Sequence, residues 1–259
     1  MKKTLIALAV VASAAVSGSA MAAWTTSGTG GTFTMSGELT PKDRVTPWEV
    51  KVGAAVKFLD ANIEKGQNSV DIPVKQAIPL LGIRTSAKSA FSGAYGISPQ
   101  INFGNAINLD QFKESHTPLT LEVKDENDAK IGQLTVSMGA SALISWTGGW
   151  NGSNYVYSPE GAGGFFGGLP KTESAVMIND VAALIMPEIA DNFDNQNQSV
   201  ASRAALAGNF WNRQTKYSAY YGAGIESNAV IKITLDSPVV GDEVITWKAS
   251  LPIVVSYAF

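Results

Sequence analysis

The stretch WKASLPIVVSYAF, residues 247–259, closes the sequence and is the clearest indicator of the fold class. Nearly every second residue is apolar and points to one side, which is typical of a β-strand with one buried face. We therefore predict a C-terminal strand that runs to the last residue. Its apolar face is formed by Trp247, Ala249, Leu251, Ile253, Val255, Tyr257 and Phe259.

A second run of period two lies near the other end of the sequence, with one face made by Phe33, Met35, Gly37 and Leu39. It follows a Thr-, Ser- and Gly-rich leader, residues 25–32, that can bury little surface. Two interpretations are open from the pattern alone. The run either pairs within its own chain, or it leaves the chain as a donor strand and fills the groove of a neighbouring subunit, beside the C-terminal strand.

The body of the chain contains further short alternating segments. They lie at residues 48–52, 70–74, 101–103, 119–123, 131–138 and 230–235, and the polar turn at residues 125–128 predicts a hairpin. Many strands with few helices between them favour an antiparallel sandwich. The predicted fold class is all-β with a small helical insertion.

Helical signals are confined to residues 170–210. Met177, Val181, Leu184 and Ile185 fall on one stripe of a helix that Pro187 ends or kinks, and the Ala-rich residues 199–207 suit a second short helix. We predict an inserted loop-helix subdomain at about residues 146–213. Its helices either only cap the sandwich or help to form a binding surface.

The N-terminus predicts export. Lys2 and Lys3 precede a short apolar run, and Ala20 and Ala22 supply the small residues of a cleavage site, so residues 1–22 are a signal peptide. We assign residues 23–40 to an N-terminal extension and residues 41–259 to one domain.

Composition argues against several functional classes. The chain has no cysteine, one histidine and a formal net charge of −3. These counts leave little for a thiol or His-based active site or a zinc site, and they disfavour a nucleic-acid partner. We expect no enzymatic activity, no cofactor and no metal.

Several segments, in order along the chain, resemble the FaeG-type enterobacterial fimbrial subunits, a family that includes the major adhesive subunit of a porcine enterotoxigenic fimbria. The segments are MKKTLIALA (1–9), residues 33–39, WEVKVG (48–53), PLLG (79–82) with Arg84 and Thr85, GGLP (167–170) and WKASL (247–251) with Tyr257. The sequence departs from the family pattern at Ala258, where relatives tend to carry an aromatic residue.

The resemblance implies an incomplete immunoglobulin-like β-sandwich completed by donor-strand exchange along a homopolymeric fibre. It implies neighbouring fimbrial subunits, a periplasmic chaperone and an outer-membrane usher as partners, with export through the periplasm to a cell-surface fimbrium. The expected function is a structural subunit of a chaperone–usher fimbria that also contributes to adhesion to host-cell glycoconjugates. The alternative is a minor, non-adhesive subunit that initiates, spaces or ends the fibre.

In adhesive relatives the receptor site is ascribed to the variable insertion around the GGLP segment. Aromatic rings beside amides suit a sugar, because C–H faces pack on the rings while amides bond the hydroxyls. The candidate residues for a host glycan receptor are Trp150, Asn151, Asn154, Tyr155, Tyr157 and Trp211. The other interpretation is that such aromatic residues fill the core beneath the insertion, which we prefer for Trp146.

Overall fold

The computed structural model describes residues 26, 35–40, 45–57, 59–159, 161, 163–206 and 209–258. The chain divides into two units, Met1–Arg44 and Val45–Phe259. In the first unit, residues 35–40 have no regular secondary structure. The predicted signal peptide, Phe33 and Phe259 lie outside the described residues.

The second unit is built from short strands, so the predicted all-β class is confirmed. The described strands are β1 (Trp48–Val52), β2 (Ser69–Pro73), β3 (Ile78–Thr85), β4 (Phe91–Ser92), β5 (Ser98–Asn102), β6 (His116–Lys124), β7 (Lys130–Thr147), β8 (Gly152–Tyr157), β9 (Ala205–Leu206), β10 (Lys216–Ile225), β11 (Val230–Leu235), β12 (Lys248–Ala249) and β13 (Val254–Ala258).

The longest strand, β7, has 18 residues and changes neighbours half way along. Its first half lies between β6 and β11, and its second half lies between β8 and β10. The predicted hairpin joins β6 to β7, and its turn is closed by the bond from the Asp125 N–H to the Ala129 carbonyl. One continuous backbone therefore joins both ends of the fold.

The main sheet has the strand order β1-β3-β10-β7-β11-β2, with β6 also paired to β7 and β12 paired to β6. β5 and β13 form a separate antiparallel pair. Aliphatic side chains of both groups of strands, among them Leu81, Ile101, Leu119 and Ile233, are buried in one hydrophobic core. This arrangement is the layered packing of a β-sandwich.

An aromatic cluster closes one end of this core. The Trp48 ring packs edge-on against Phe165 and Phe210, with ring centroids 5.7 and 5.1 Å away, and Phe165 stacks on Tyr221. The Trp48 indole N–H donates to the Ile97 carbonyl at 2.6 Å. These contacts fix the start of β1 to the loop before β5.

The insertion packs on the outer face of the main sheet. Helix α1 (Val181–Ile185) begins at Asp180, whose side chain accepts a hydrogen bond from the Ala183 N–H. A second, smaller core forms between this segment and the sheet, from Leu143, Ala182, Met186, Ile189 and Tyr220.

Helix α1 is shorter than the predicted stripe. Val181 and Ile185 are buried as expected, but Leu184 is exposed, and Met177 precedes the helix. A 3-10 helix, Pro187–Ala190, follows directly. The position of Pro187 at its start agrees with the tolerance of proline in the first turn of a helix.

The predicted second helix at residues 199–207 is wrong. Val200 bridges to Ser153, and β9 pairs in parallel with β8. The Ala201 N–H donates to the Ser153 carbonyl. The open edge of β8 supplies hydrogen-bond partners for this segment, and such tertiary pairing overrides the weak helix preference of an Ala-rich sequence.

The C-terminal stretch forms two short strands, β12 and β13, where one was predicted. Residues 250–253 between them have no strand assignment, and Pro252 has no N–H to donate to a ladder. The stretch still alternates in burial. The odd-numbered residues 247–257 are partly buried and the even-numbered ones are exposed.

Candidate functional site

The C-terminal stretch has a face that is only partly covered. Its odd-numbered side chains pack against the main core, but none of them reaches the full burial of the residues beneath, such as Leu119 and Val123. The described members of this row are Trp247, Ala249, Leu251, Ile253, Val255 and Tyr257. The row therefore contacts the core and is still partly open to solvent.

The backbone of this stretch has one edge without a partner strand among the described residues. Among the described residues β12 pairs only with β6, and β13 pairs only with β5. The other side of β5 is occupied, because the Ile101 N–H donates to the Phe166 carbonyl and the Phe165 N–H donates to the Pro99 carbonyl, both at 2.8 Å. A further strand can therefore join at the free side of the C-terminal stretch. We call this row and its free edge the C-terminal groove.

The GGLP segment has a structural role at this place. A Cβ added to Gly167 would lie 1.9 Å from the Ile101 carbonyl oxygen, and Gly167 has a φ of +86°. A Cβ on Gly168 would lie 2.6 Å from both the Ile101 side chain and the Tyr221 hydroxyl. Only glycines let this loop pack against β5, so the segment completes one side of β5.

The described residues 35–40 of the first unit carry exposed apolar side chains. In residues 35–40, Met35 is 83% exposed and Leu39 is 98% exposed. An added Cβ on Gly37 would meet no atom within 4 Å. The role of Met35, Gly37 and Leu39 as donor residues stays a prediction, and Phe33 lies outside the described residues.

Trp150 and Asn151, two of the candidate ligand residues, lie together in the turn between β7 and β8. Trp150 is 91% exposed. The Asn151 side-chain oxygen accepts a hydrogen bond from the Gly148 N–H at 3.0 Å. The turn is thereby held in shape, and the indole ring is presented to solvent.

The three candidates on β8 are more embedded. The Asn154 amide donates to the Arg203 carbonyl at 3.1 Å. Tyr155 packs against the second, smaller core, and its pKa is raised to about 12, mainly by burial and then by the nearby Asp180 carboxylate. Tyr157 is partly buried. These side chains serve the packing of the insertion at least in part.

Trp211 lies in a different loop and stacks on Tyr95, a residue that the sequence did not indicate. Their ring centroids are 5.7 Å apart and their planes differ by 8°. The only local signal for Tyr95 is its place between Gly93 and Gly96, in a loop that can expose a ring. The six candidate residues therefore divide into the turn, β8 and a separate aromatic stack.

Within the part of the chain that the structure describes, no group of three or more acidic, His or Cys side chains is arranged to hold a metal ion. The single histidine, His116, is the first residue of β6. Its Nε2 lies 2.5 Å from the Glu226 carboxylate, and its Nδ1 lies 2.6 Å from the Glu114 carbonyl oxygen. Across the described residues, no helix has the length and hydrophobicity needed to cross a membrane.

The described part of the second unit is thus an all-β domain whose C-terminal stretch has a free strand edge. The model of the family described as "Fimbrial, major and minor subunit", of the K88 type, matches residues 1–258, and the chain belongs to this family. The predicted family relationship is therefore confirmed.

The similar proteins are fimbrial subunits of Escherichia coli. The K88 fimbrial proteins AB and AC are each 28% identical to this chain, over 99% of it and all of their own length. The F41 fimbrial protein is 27% identical over the full length of both. The chain is thus a structural subunit of a cell-surface fimbria and assembles with other fimbrial subunits.

Proposed function

We propose that the chain polymerises by donor-strand exchange, in which residues 33–39 of one subunit fill the C-terminal groove of the next. The observation that carries this proposal is the combination, along one stretch, of a half-covered apolar row and a free strand edge. An added strand supplies backbone hydrogen bonds and covers the row at the same time. Phe33, Met35 and Leu39 enter successive pockets, and Gly37 lies where only backbone fits.

An unfilled groove also explains the expected assembly partners. An exposed strand edge beside an apolar row is prone to pair with other chains. A periplasmic chaperone covers the groove after the predicted signal peptide is removed, and an outer-membrane usher exchanges that cover for the next subunit's extension.

Met35→Asp tests the register of the donor strand. The charge would have to be buried in a groove pocket without a partner, which costs several kcal/mol. We expect the purified variant to form no fibres, as seen by electron microscopy. Ser36→Asp, with the same charge on the opposite face of the strand, should assemble normally.

A deletion separates the role of the chain as strand donor from its role as strand acceptor. A subunit without residues 24–40 should not polymerise but should still bind a synthetic peptide of residues 32–40. Normal fibres from this deletion, or from Met35→Asp, would contradict the mechanism.

We further propose that the turn carrying Trp150 contributes to adhesion to host glycoconjugates. The exposed indole ring offers a flat surface to a sugar, and the Asn151 amide nitrogen has no partner among the described residues. Tyr155 and Tyr157 lie further along β8, and Trp211 lies in another loop.

Trp150→Ala tests adhesion. We expect peptide-complemented wild-type subunit to bind glycans on an array and the variant to lose most of that binding, with unchanged thermal stability because the ring is exposed. Leu184→Ala, an exposed apolar side chain on α1, is the matched control.

A minor, non-adhesive subunit is the second candidate, because the matching family contains both major and minor subunits. Wild-type protein that binds no glycan would favour it. Subunit-specific labelling of native fibres would then show the label at ends or at intervals, whereas a major subunit labels the whole shaft.

A further inference from the structure

An exposed pair of stacked rings with an adjacent cation has no role in the groove. Tyr95 is 62% exposed and Trp211 is 47% exposed, although their rings stack nearly in parallel. The Arg213 guanidinium lies 5.8 Å from the centre of the Tyr95 ring. We call these three side chains the stacked-ring patch.

The patch is held rigidly by its two loops. The Ala94 N–H donates to the Phe210 carbonyl at 2.9 Å, and the Gly93 N–H donates to the Thr215 carbonyl at 3.0 Å. A Cβ on Gly93 would lie 2.2 Å from the Asn212 carbonyl oxygen, so the loops are in close contact. Rings that are already fixed lose little conformational freedom on binding, which favours a contact surface.

The patch lies at the end of the domain at which β1 begins. Trp48, the first residue of β1, donates from its indole to Ile97, two residues after Tyr95. Ser98 pairs with Ala258, near the end of the C-terminal stretch. The second unit begins at Val45, only three residues before Trp48.

The opposite end of the domain carries a loop of complementary chemistry, residues 240–245. Val240 and Val244 are almost fully exposed, and Ile245 is exposed as well. Asp242 pairs with Lys65, whereas the Glu243 carboxylate has no partner among the described residues. We call this segment the aliphatic-acidic loop.

The length of β7 gives the separation of the two surfaces. The aliphatic-acidic loop adjoins the start of β7, since the Asp236 N–H donates to the Ile131 carbonyl and Lys248 pairs with Lys124. The loop that carries Trp211 leads into Lys216, which pairs with Thr147 at the other end of β7. An 18-residue strand rises about 55 Å, so the surfaces lie at opposite ends.

We propose that the stacked-ring patch of one subunit binds the aliphatic-acidic loop of the next copy of this chain in the fibre. In this contact the aromatic rings pack on the exposed valines, and Arg213 forms an ion pair with the Glu243 carboxylate. A contact between two different surfaces of identical chains can repeat from copy to copy, and it produces a filament when the rotation between copies does not close a ring. The inference rests on the proposed donor-strand exchange.

The length of the extension requires neighbouring subunits to lie close together. Eight residues lie between Leu39, placed in the neighbour's groove, and Trp48 in its own domain, and these nine steps span at most about 32 Å. The neighbour's groove must therefore lie within that distance of the start of β1, at the end of the domain that carries the patch.

Hydroxyl-radical footprinting tests the contact. Wild-type fibres are compared with the full-length Met35→Asp chain kept monomeric and complemented with the peptide of residues 32–40. We expect Trp211 and the aliphatic-acidic loop to be oxidised several-fold less in the fibre, with Leu184 unchanged. Equal oxidation of Trp211 in both forms overturns the contact, and protection of Trp211 alone overturns the assignment of its partner loop.

A charge exchange tests the pairing. Arg213→Glu and Glu243→Arg should each shorten fibres several-fold, whereas the double variant should restore the wild-type length. Single variants that form fibres of normal length contradict the inference. A double variant whose fibres are as short as those of the single variants contradicts it as well. Fibres formed by Met35→Asp would instead overturn donor-strand exchange, and with it the basis of this contact.

Discussion

At the scale of single residues, Tyr220 and Tyr221 show how one strand serves two cores. They are neighbours on β10, and both are buried. Tyr220 faces the insertion, where its hydroxyl donates to the Asp180 carboxylate, whereas Tyr221 belongs to the main core and its hydroxyl has no partner among the described residues. Burial is the main cause that raises the pKa of both phenols.

Substitution of each tyrosine by phenylalanine should therefore have different effects. Tyr220→Phe removes one of the two donors of the Asp180 carboxylate, which keeps the Ala183 N–H, and should lower the free energy of unfolding by about 1–2 kcal/mol. Tyr221→Phe removes a buried hydroxyl that has no partner among the described residues and should change the free energy of unfolding by less than about 0.5 kcal/mol, or raise it. Urea unfolding of the peptide-complemented subunit measures both, and equal losses would contradict this assignment.

At the scale of elements, the C-terminal stretch determines which side chains meet a donor strand. Val255 belongs to the partly buried row, whereas Val254, next to it on β13, is exposed on the other face. The same substitution at these two positions therefore separates the groove from the surface.

Val255→Asp should abolish binding of the donor peptide, because the charge would be covered by the incoming strand. Val254→Asp should leave the affinity within a factor of about three, since that side chain stays in water. Fluorescence anisotropy with a labelled peptide of residues 32–40 checks both. Loss of binding in both variants would mean that the row is not the binding face.

Elements with one buried face were predictable, and elements buried on both faces were not. The alternation of β6, of the first half of β7 and of β11 is visible in the sequence because one side of each of these segments is polar. β10 was not recognised, since the insertion covers its outer face and nearly all its residues are buried. Periodicity carries no signal when both sides are apolar.

The prediction of the candidate sites was limited because contacts between distant segments leave no local pattern in the sequence. Residues 199–207 were assigned to a helix because local composition is visible and the free edge of β8 is not. The stacking of Tyr95 on Trp211 joins residues that are distant in the sequence, so no local pattern could indicate it. The apolar row of the groove, in contrast, follows directly from the alternation in residues 247–257.

At the scale of the whole molecule, the proposed donor-strand exchange predicts that the stability of the free subunit depends on the strand that fills its C-terminal groove. A ligand that binds only the folded state raises the free energy of unfolding by about 2.7 kcal/mol at a concentration one hundred times its Kd. We expect the donor peptide to raise the melting temperature in a concentration-dependent way, as measured by calorimetry.

The matched control is the same peptide with Asp in place of Met35, which should raise the melting temperature far less. An equal rise with both peptides would indicate nonspecific binding, and no rise with either would contradict an unfilled groove.

The attachment of β1 has a mechanical consequence. When neighbouring subunits are linked through their extensions, a pull on the filament reaches each domain at Val45 and passes into β1, which is paired along its whole length with β3 and fixed at its first residue by the Trp48–Ile97 bond. A pull along the axis of β1 would load the hydrogen bonds of this ladder together, so that they would have to fail at the same time. Such a link between subunits would resist shear without a covalent cross-link.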